Sequence, residues 1–95
     1  MFVLQIEHEV FNFDSWKKIF DGDLKGRQQA GVNQYEIFCL SDNPNYVIIH
    51  LWFDYFDQAE ISKALLFNLW NADNSNQLKN QQARIFDMVD WNFVD

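Results

Sequence analysis

The sequence predicts an α+β domain whose elements run strand, helix, strand, strand, helix, strand. Three observations predict it. Residues 2–10 and 46–53 alternate with period two, as strands do. Residues after 12 and after 57 instead space their apolar groups three and four apart, the spacing of a helix. The turn-rich stretch Ser41-Asp42-Asn43-Pro44-Asn45 leaves no room for a helix, so the apolar runs on either side of it form a hairpin.

In the first strand Phe2, Leu4, Ile6, His8 and Val10 share one face, and Val3, Gln5, Glu7 and Glu9 the other. Asn12 or Asp14 is the expected N-cap of the first helix. Asn12 would set Phe11 and Trp16 at the positions of a hydrophobic staple, with Trp16, Ile19 and Phe20 as the apolar stripe. Gly22 stops or bends that helix, and a second short helical piece over 23–30 ends at Gly31. Residues 32–40 form the second strand, with a four- or five-residue loop leading into the third. That third strand, Tyr46–Phe53, is the longest apolar run in the chain. Asp57 and Glu60 read as a capping box, with Phe56 and Ile61 as its staple. Ile61, Ala64, Leu65 and Leu69 form the expected buried stripe of that helix, widened by Phe67 and Trp70. Ser75 or Asn76 is expected to cap a short helix through Ala83, and alternation from Arg84 to Trp91 gives the last strand.

Right-handed crossovers convert this order into a ferredoxin-like βαββαβ sheet of spatial order 4-1-3-2, one domain over residues 1–95, with its helices on one face. The other face is then the difficulty. Tyr46, Ile48, His50 and Trp52 lie on it, joined by either Tyr35 and Ile37 or Phe38 and Leu40, and a water-facing sheet is not normally so apolar. Burying ~400 Å² of it at ~25 cal/mol/Å² is worth about 10 kcal/mol before association costs. A homodimer closing two sheets into a dimeric α+β barrel is the expected solution.

Composition narrows the partners. The formal charge of −7 opposes nucleic acid and anionic membranes, which recruit basic patches. Lys17, Lys18, Lys25 and Arg27 read as a solvated rim. One cysteine, Cys39, forms no internal disulfide and reads as a small core residue; together with the absence of a leader-like or membrane-spanning run it points to a cytoplasmic protein. Ten Phe, four Trp and three Tyr exceed what one small core needs, so some are expected to meet a partner subunit or a ligand.

Chemistry concentrates on the open face. First and third strands are neighbours in the predicted sheet, so Gln5, Glu7 and Glu9 fall opposite or diagonal to His50 and Trp52. His50 and Glu7 form a candidate acid/base pair, and Tyr46, Trp52, Gln5 and Glu9 the wall around a small apolar or aromatic molecule. Mutual satisfaction of His50 and Glu7 in a wet interior is the plainer reading. His8 lies on the opposite face, as a satisfied histidine at the core edge, so too few ligands converge for a metal.

The segments Phe13-Asp14-Ser15-Trp16-Lys17, Phe20-Asp21-Gly22-Asp23-Leu24-Lys25-Gly26-Arg27, Ala30-Gly31-Val32 and Asp42-Asn43-Pro44-Asn45-Tyr46-Val47 resemble a subgroup of small bacterial proteins in the dimeric α+β barrel superfamily. That superfamily includes antibiotic-biosynthesis monooxygenases, stress-responsive proteins, isomerase-like proteins and haem-degrading enzymes. The similarity covers residues 10–67 best. Leu24 departs from a common proline, and 71–82 departs more widely. The resemblance implies the fold and a dimer. Haem degradation in relatives uses an Asn on the first strand, a Trp, and a His on the second helix. Here Trp52 is present, but Gln5 replaces the Asn and residues 58–71 hold no His, so no cofactor is expected. Two functions follow. One is a cofactor-independent monooxygenase-like or isomerase-like enzyme. The other is a non-catalytic ligand-binding or structural homodimer with a filled interior.

Overall fold

A computed structural model describes residues 1–73 and 78–94 of the chain. Strands β1 (Phe2–Val10), β2 (Gln34–Leu40), β3 (Asn43–Phe53) and β4 (Leu78–Asp87) form one antiparallel sheet in the order β2-β3-β1-β4. Helices α1 (Phe13–Gly22), α2 (Leu24–Ala30) and α3 (Phe56–Ala72) complete the described elements. The predicted α+β topology and strand order are those observed.

The core follows from the two alternating strands. Leu4, Ile6, His8 and Val10 of β1 and Val47, Ile49, Leu51 and Phe53 of β3 all point to the helix side and are buried. Asn12 caps α1, its side chain accepting from Ser15 N at 2.9 Å, but Phe11 stays 86% exposed, so no staple forms there. Asp23 separates α1 from α2. Gly31 ends α2 at φ 94°, the left-handed region that glycine enters without a Cβ clash.

Several expectations are corrected. The short helix through Ala83 is absent among the described residues, where β4 begins at Leu78; its proposed caps, Ser75 and Asn76, lie outside them. The polar run Lys79–Gln82 hides this strand. Asn80 takes φ 58° and the register shifts opposite His8, a β-bulge that breaks the alternation. β4 also ends before Trp91, which packs on Phe93 at 4.8 Å in an exposed tail.

The hairpin turn is Ser41-Asp42, not a longer loop, because β3 already pairs Asn43 with Leu40. Cys39, at the end of the edge strand β2, is exposed rather than core.

α3 starts earlier than expected, after Tyr55, whose N–H donates to Gln58 Oε1 at 3.3 Å. Its buried side is Ala59, with Leu66 and Trp70 packed on the core, while Ile61, Leu65 and Leu69 are 62, 57 and 67% exposed. A helix apolar nearly all round carries little phase information, and the small side chain of Ala59 decides where it approaches the sheet.

Gln58 also ties the two helical segments together. A Cβ on Gly31 would lie 2.4 Å from Gln58 Nε2. Gly31→Ala is expected to cost about 1–2 kcal/mol, from the left-handed φ and displacement of the Gln58 cap. Urea unfolding measures it, and an unchanged midpoint would refute the role given to this glycine.

Candidate functional site

On the open face, register decides which residues meet. Gln5 pairs with His50 and Glu36 pairs with His50 from the other side; Glu7 lies opposite Ile48 and Glu9 opposite Tyr46. His50 therefore has Gln5 as neighbour, and Glu7 sits diagonal to it.

Two hydrogen-bonded groups result, joined by one longer contact between His50 and Glu36. Tyr46 Oη donates to Glu7 at 2.7 Å, and Gln5 Nε2 donates to the other Glu7 oxygen at 2.9 Å. Gln5 Oε1 lies 3.1 Å from His50 Nε2, and His50 Nδ1 lies 3.9 Å from Glu36. Trp52 Nε1 donates to that Glu36 oxygen at 2.7 Å. Gln5 thus stands between Glu7 and His50. The Glu7 carboxylate, by accepting the phenol's hydrogen bond, raises the Tyr46 pKa, which keeps Tyr46 a donor. Glu9 lies apart from this network, accepting from Asn80 Nδ2 at 3.2 Å.

Glu36 escaped the sequence reading. The two-residue turn would have set the phase of β2, placing Gln34, Glu36 and Phe38 on this face and Tyr35 and Ile37 behind it. Val3 is buried here, opposite Trp52 on one side and Phe86 on the other.

A second site lies on the helix side, where sequence reading expected only core. None of the α1 residues is fully buried, and the helices leave a cleft over β1 and β3. One lobe, about 290 Å³, is lined by residues including His8, Trp16, Phe20, Arg27, Leu66 and Trp70. An adjoining lobe of about 160 Å³ carries Ser62 and Leu65 and shares Ile6, Asp23, Arg27, Leu51 and Leu66 with the first.

Of the ionisable side chains that line this cleft, Asp23, His8 and Arg27, the last two are buried. His8 is 3% exposed, with its ring edge-to-face against Trp16 at 5.7 Å and Trp70 at 6.3 Å. Its Nδ1 has no partner among the described residues, so it is not the satisfied histidine expected. Desolvation lowers its pKa from 6.5 to about 4, leaving a neutral imidazole at pH 7. Arg27 is 9% exposed and so is no part of a solvated rim. Its guanidinium lies 3.9 Å above the Phe20 ring and 5.2 Å from that of Tyr35, and Nη1 donates to the Phe20 carbonyl. Arg27 Nε and the Ser62 hydroxyl are likewise without partners among the described residues. Buried polar atoms without partners are uncommon, and these three all belong to cleft-lining residues.

Among the described residues no group of three or more His, Cys, Asp or Glu side chains is placed to hold a metal, and no helix is long and apolar enough to cross a membrane.

No family model and no curated protein matches the chain. Solved structures do. A candidate antibiotic biosynthesis monooxygenase from Deinococcus radiodurans superposes with TM-score 0.74 at 9% identity, over 100% of this chain and 99% of that one. An antibiotic biosynthesis monooxygenase gives TM-score 0.66 at 14% identity, over 95% of this chain and 100% of the other. A dimeric ferredoxin-like protein from an uncultured marine organism gives 0.57 at 11%, over 93% and 96%. In fold, this chain is similar to these proteins: a ferredoxin-like α+β domain with a four-stranded antiparallel sheet.

Proposed function

We propose that the protein is a homodimer binding a small, ring-bearing, mainly apolar molecule in the helix-side cleft of each protomer. The carrying observation is the cleft itself: an apolar space lined by Trp16, Phe20, Leu66, Trp70 and His8, the last with a buried, unpartnered Nδ1. Mostly apolar concavities with a few unpaired polar groups are the usual form of small-molecule sites. The His8 Nδ1 suits a ligand O–H or N–H. As a general base it is weak at neutral pH, since a conjugate acid of pKa about 4 holds little affinity for a proton there. Binding therefore has stronger support than catalysis. The neighbours described as monooxygenases suggest the matching chemistry, a cofactor-free oxygenation in which the bound molecule carries the electron-rich centre and the protein a dry pocket.

The dimer rests on the open face. Phe38 and Phe86 are exposed there and Ile48 and Trp52 only half-buried among the described residues, and a solved neighbour of this fold is dimeric. Two such faces would enclose the Tyr46–Glu7–Gln5–His50–Glu36–Trp52 network in a barrel. That network supports a second reading, in which His50 and Glu7 act as acid and base on a ligand held there by Gln5, Tyr46, Trp52 and Glu9.

Filling one site at a time separates the two. Leu66 lines both lobes of the cleft, so Leu66→Trp is expected to abolish binding of the neutral probe 2-naphthol, measured by calorimetry. His50→Ala is expected to leave the affinity within about threefold. The reverse pattern would move the site to the barrel interior.

A further inference from the structure

The chemical class of the ligand follows from Arg27, given the cleft reading above. Arg27 is buried, yet no carboxylate lies within ion-pair distance of it among the described residues. A buried cation is normally paired, because removing it from water is costly unless an anion compensates. Here the Phe20 and Tyr35 rings and one backbone carbonyl supply the guanidinium's contacts, and Nε is sealed from solvent without a partner. Cation–π contacts attract the charge but satisfy no N–H donor. Asp23 lines both lobes, but its carboxylate is folded over Gly26, where an added Cβ would sit 2.4 Å from Asp23 Oδ1.

Arg27 also lies where the two lobes join. To one side is the aromatic space between Trp16 and Trp70; to the other is the Ser62 hydroxyl, which has a donor to spare. An apolar body in the larger lobe would bring a charged end to this junction.

We infer that the ligand is a small aromatic monoanion, its planar oxyanion (a carboxylate or a phenolate) held by Arg27 at the junction of the lobes. The flat guanidinium matches a planar oxyanion through parallel N–H donors, which a lysine ammonium does not. With His8 neutral, Arg27 is the single cationic group lining either lobe among the described residues.

The test compares 2-naphthoate with its neutral isostere 2-naphthamide at pH 7.5, by calorimetry on the full chain. 2-Naphthoate is expected to bind at least ~10-fold more tightly. Arg27→Met keeps apolar contact with Phe20 and Tyr35, and should remove that preference, bringing the ratio of the two affinities to within about threefold of one. Arg27→Lys should restore it only in part. A phenolate preference would show as tighter binding of 2-naphthol at a pH above the probe's own pKa, lost in the same Arg27 variant. Equal binding of naphthoate and naphthamide to the wild-type protein, which needs no variant, overturns the anion assignment and leaves the cleft standing. Survival of the preference in Arg27→Met overturns it too. If neither probe binds, the cleft reading falls and the anion assignment with it.

Discussion

Ile48→Lys is expected to turn the dimer into a monomer without unfolding it. Ile48 lies mid-strand on β3 between Glu7 and Phe38, on the face turned away from the core, so the lysine meets water in the free protomer. In the dimer the same lysine would be carried into the interface, where an unpaired cation is strongly disfavoured. Weakening of at least ~100-fold, about 3 kcal/mol, is expected. Sedimentation velocity across micromolar concentrations reads it directly, with circular dichroism to confirm the fold. A wild-type monomer at those concentrations would refute the dimer, and an unchanged dimer in Ile48→Lys would refute this face as its interface.

The second large effect is on acid stability. His8 has a pKa lowered from 6.5 to about 4 in the folded protein by its burial. Below pH 6.5 the unfolded chain takes up a proton that the native protein refuses. The neutral histidine's contribution is therefore complete above pH 6.5 and is lost as the pH falls toward 4. The rate is about 1.4 kcal/mol per pH unit and the total about 3 kcal/mol. Between pH 7.5 and pH 5.0 the wild-type protein should lose about 2 kcal/mol more than His8→Leu in urea titrations at equal protein concentration. The difference between the two proteins isolates the contribution of His8. Identical pH slopes for the two would show that His8 titrates as it does in the unfolded chain.

What was legible in the sequence follows the strength of each local pattern. β1 and β3 alternate cleanly, so their faces, and with them the open side of the sheet, could be read directly. α3 offered apolar groups in every direction, and its orientation depended on Ala59, which signals nothing until the sheet is placed beneath it. β4 was obscured by polar residues on both faces and by the left-handed Asn80. Glu36 required one more fact, the length of a turn. His8 and Arg27 belong to a different class of omission. Their identities were plain, but their missing partners are a property of the assembled cleft, and a sequence shows which groups exist without showing which are left over.

The link between Gly31 and Gln58 gives the cleft a direction. Next to it, Asn33 N–H donates to the Trp52 carbonyl at 3.0 Å and Asn33 Nδ2 to Asp54 at 2.9 Å. The end of α2 and the start of α3 are thus pinned to the same short stretch of sheet. At the opposite end the walls meet through rings, Trp16 and Trp70 on either side of His8. Backbone hydrogen bonds resist separation, whereas an indole gives way by rotating about its own side-chain bonds. The cleft is therefore held at one end by hydrogen bonds and at the other by ring packing on His8 alone, so its two ends differ in how readily they yield.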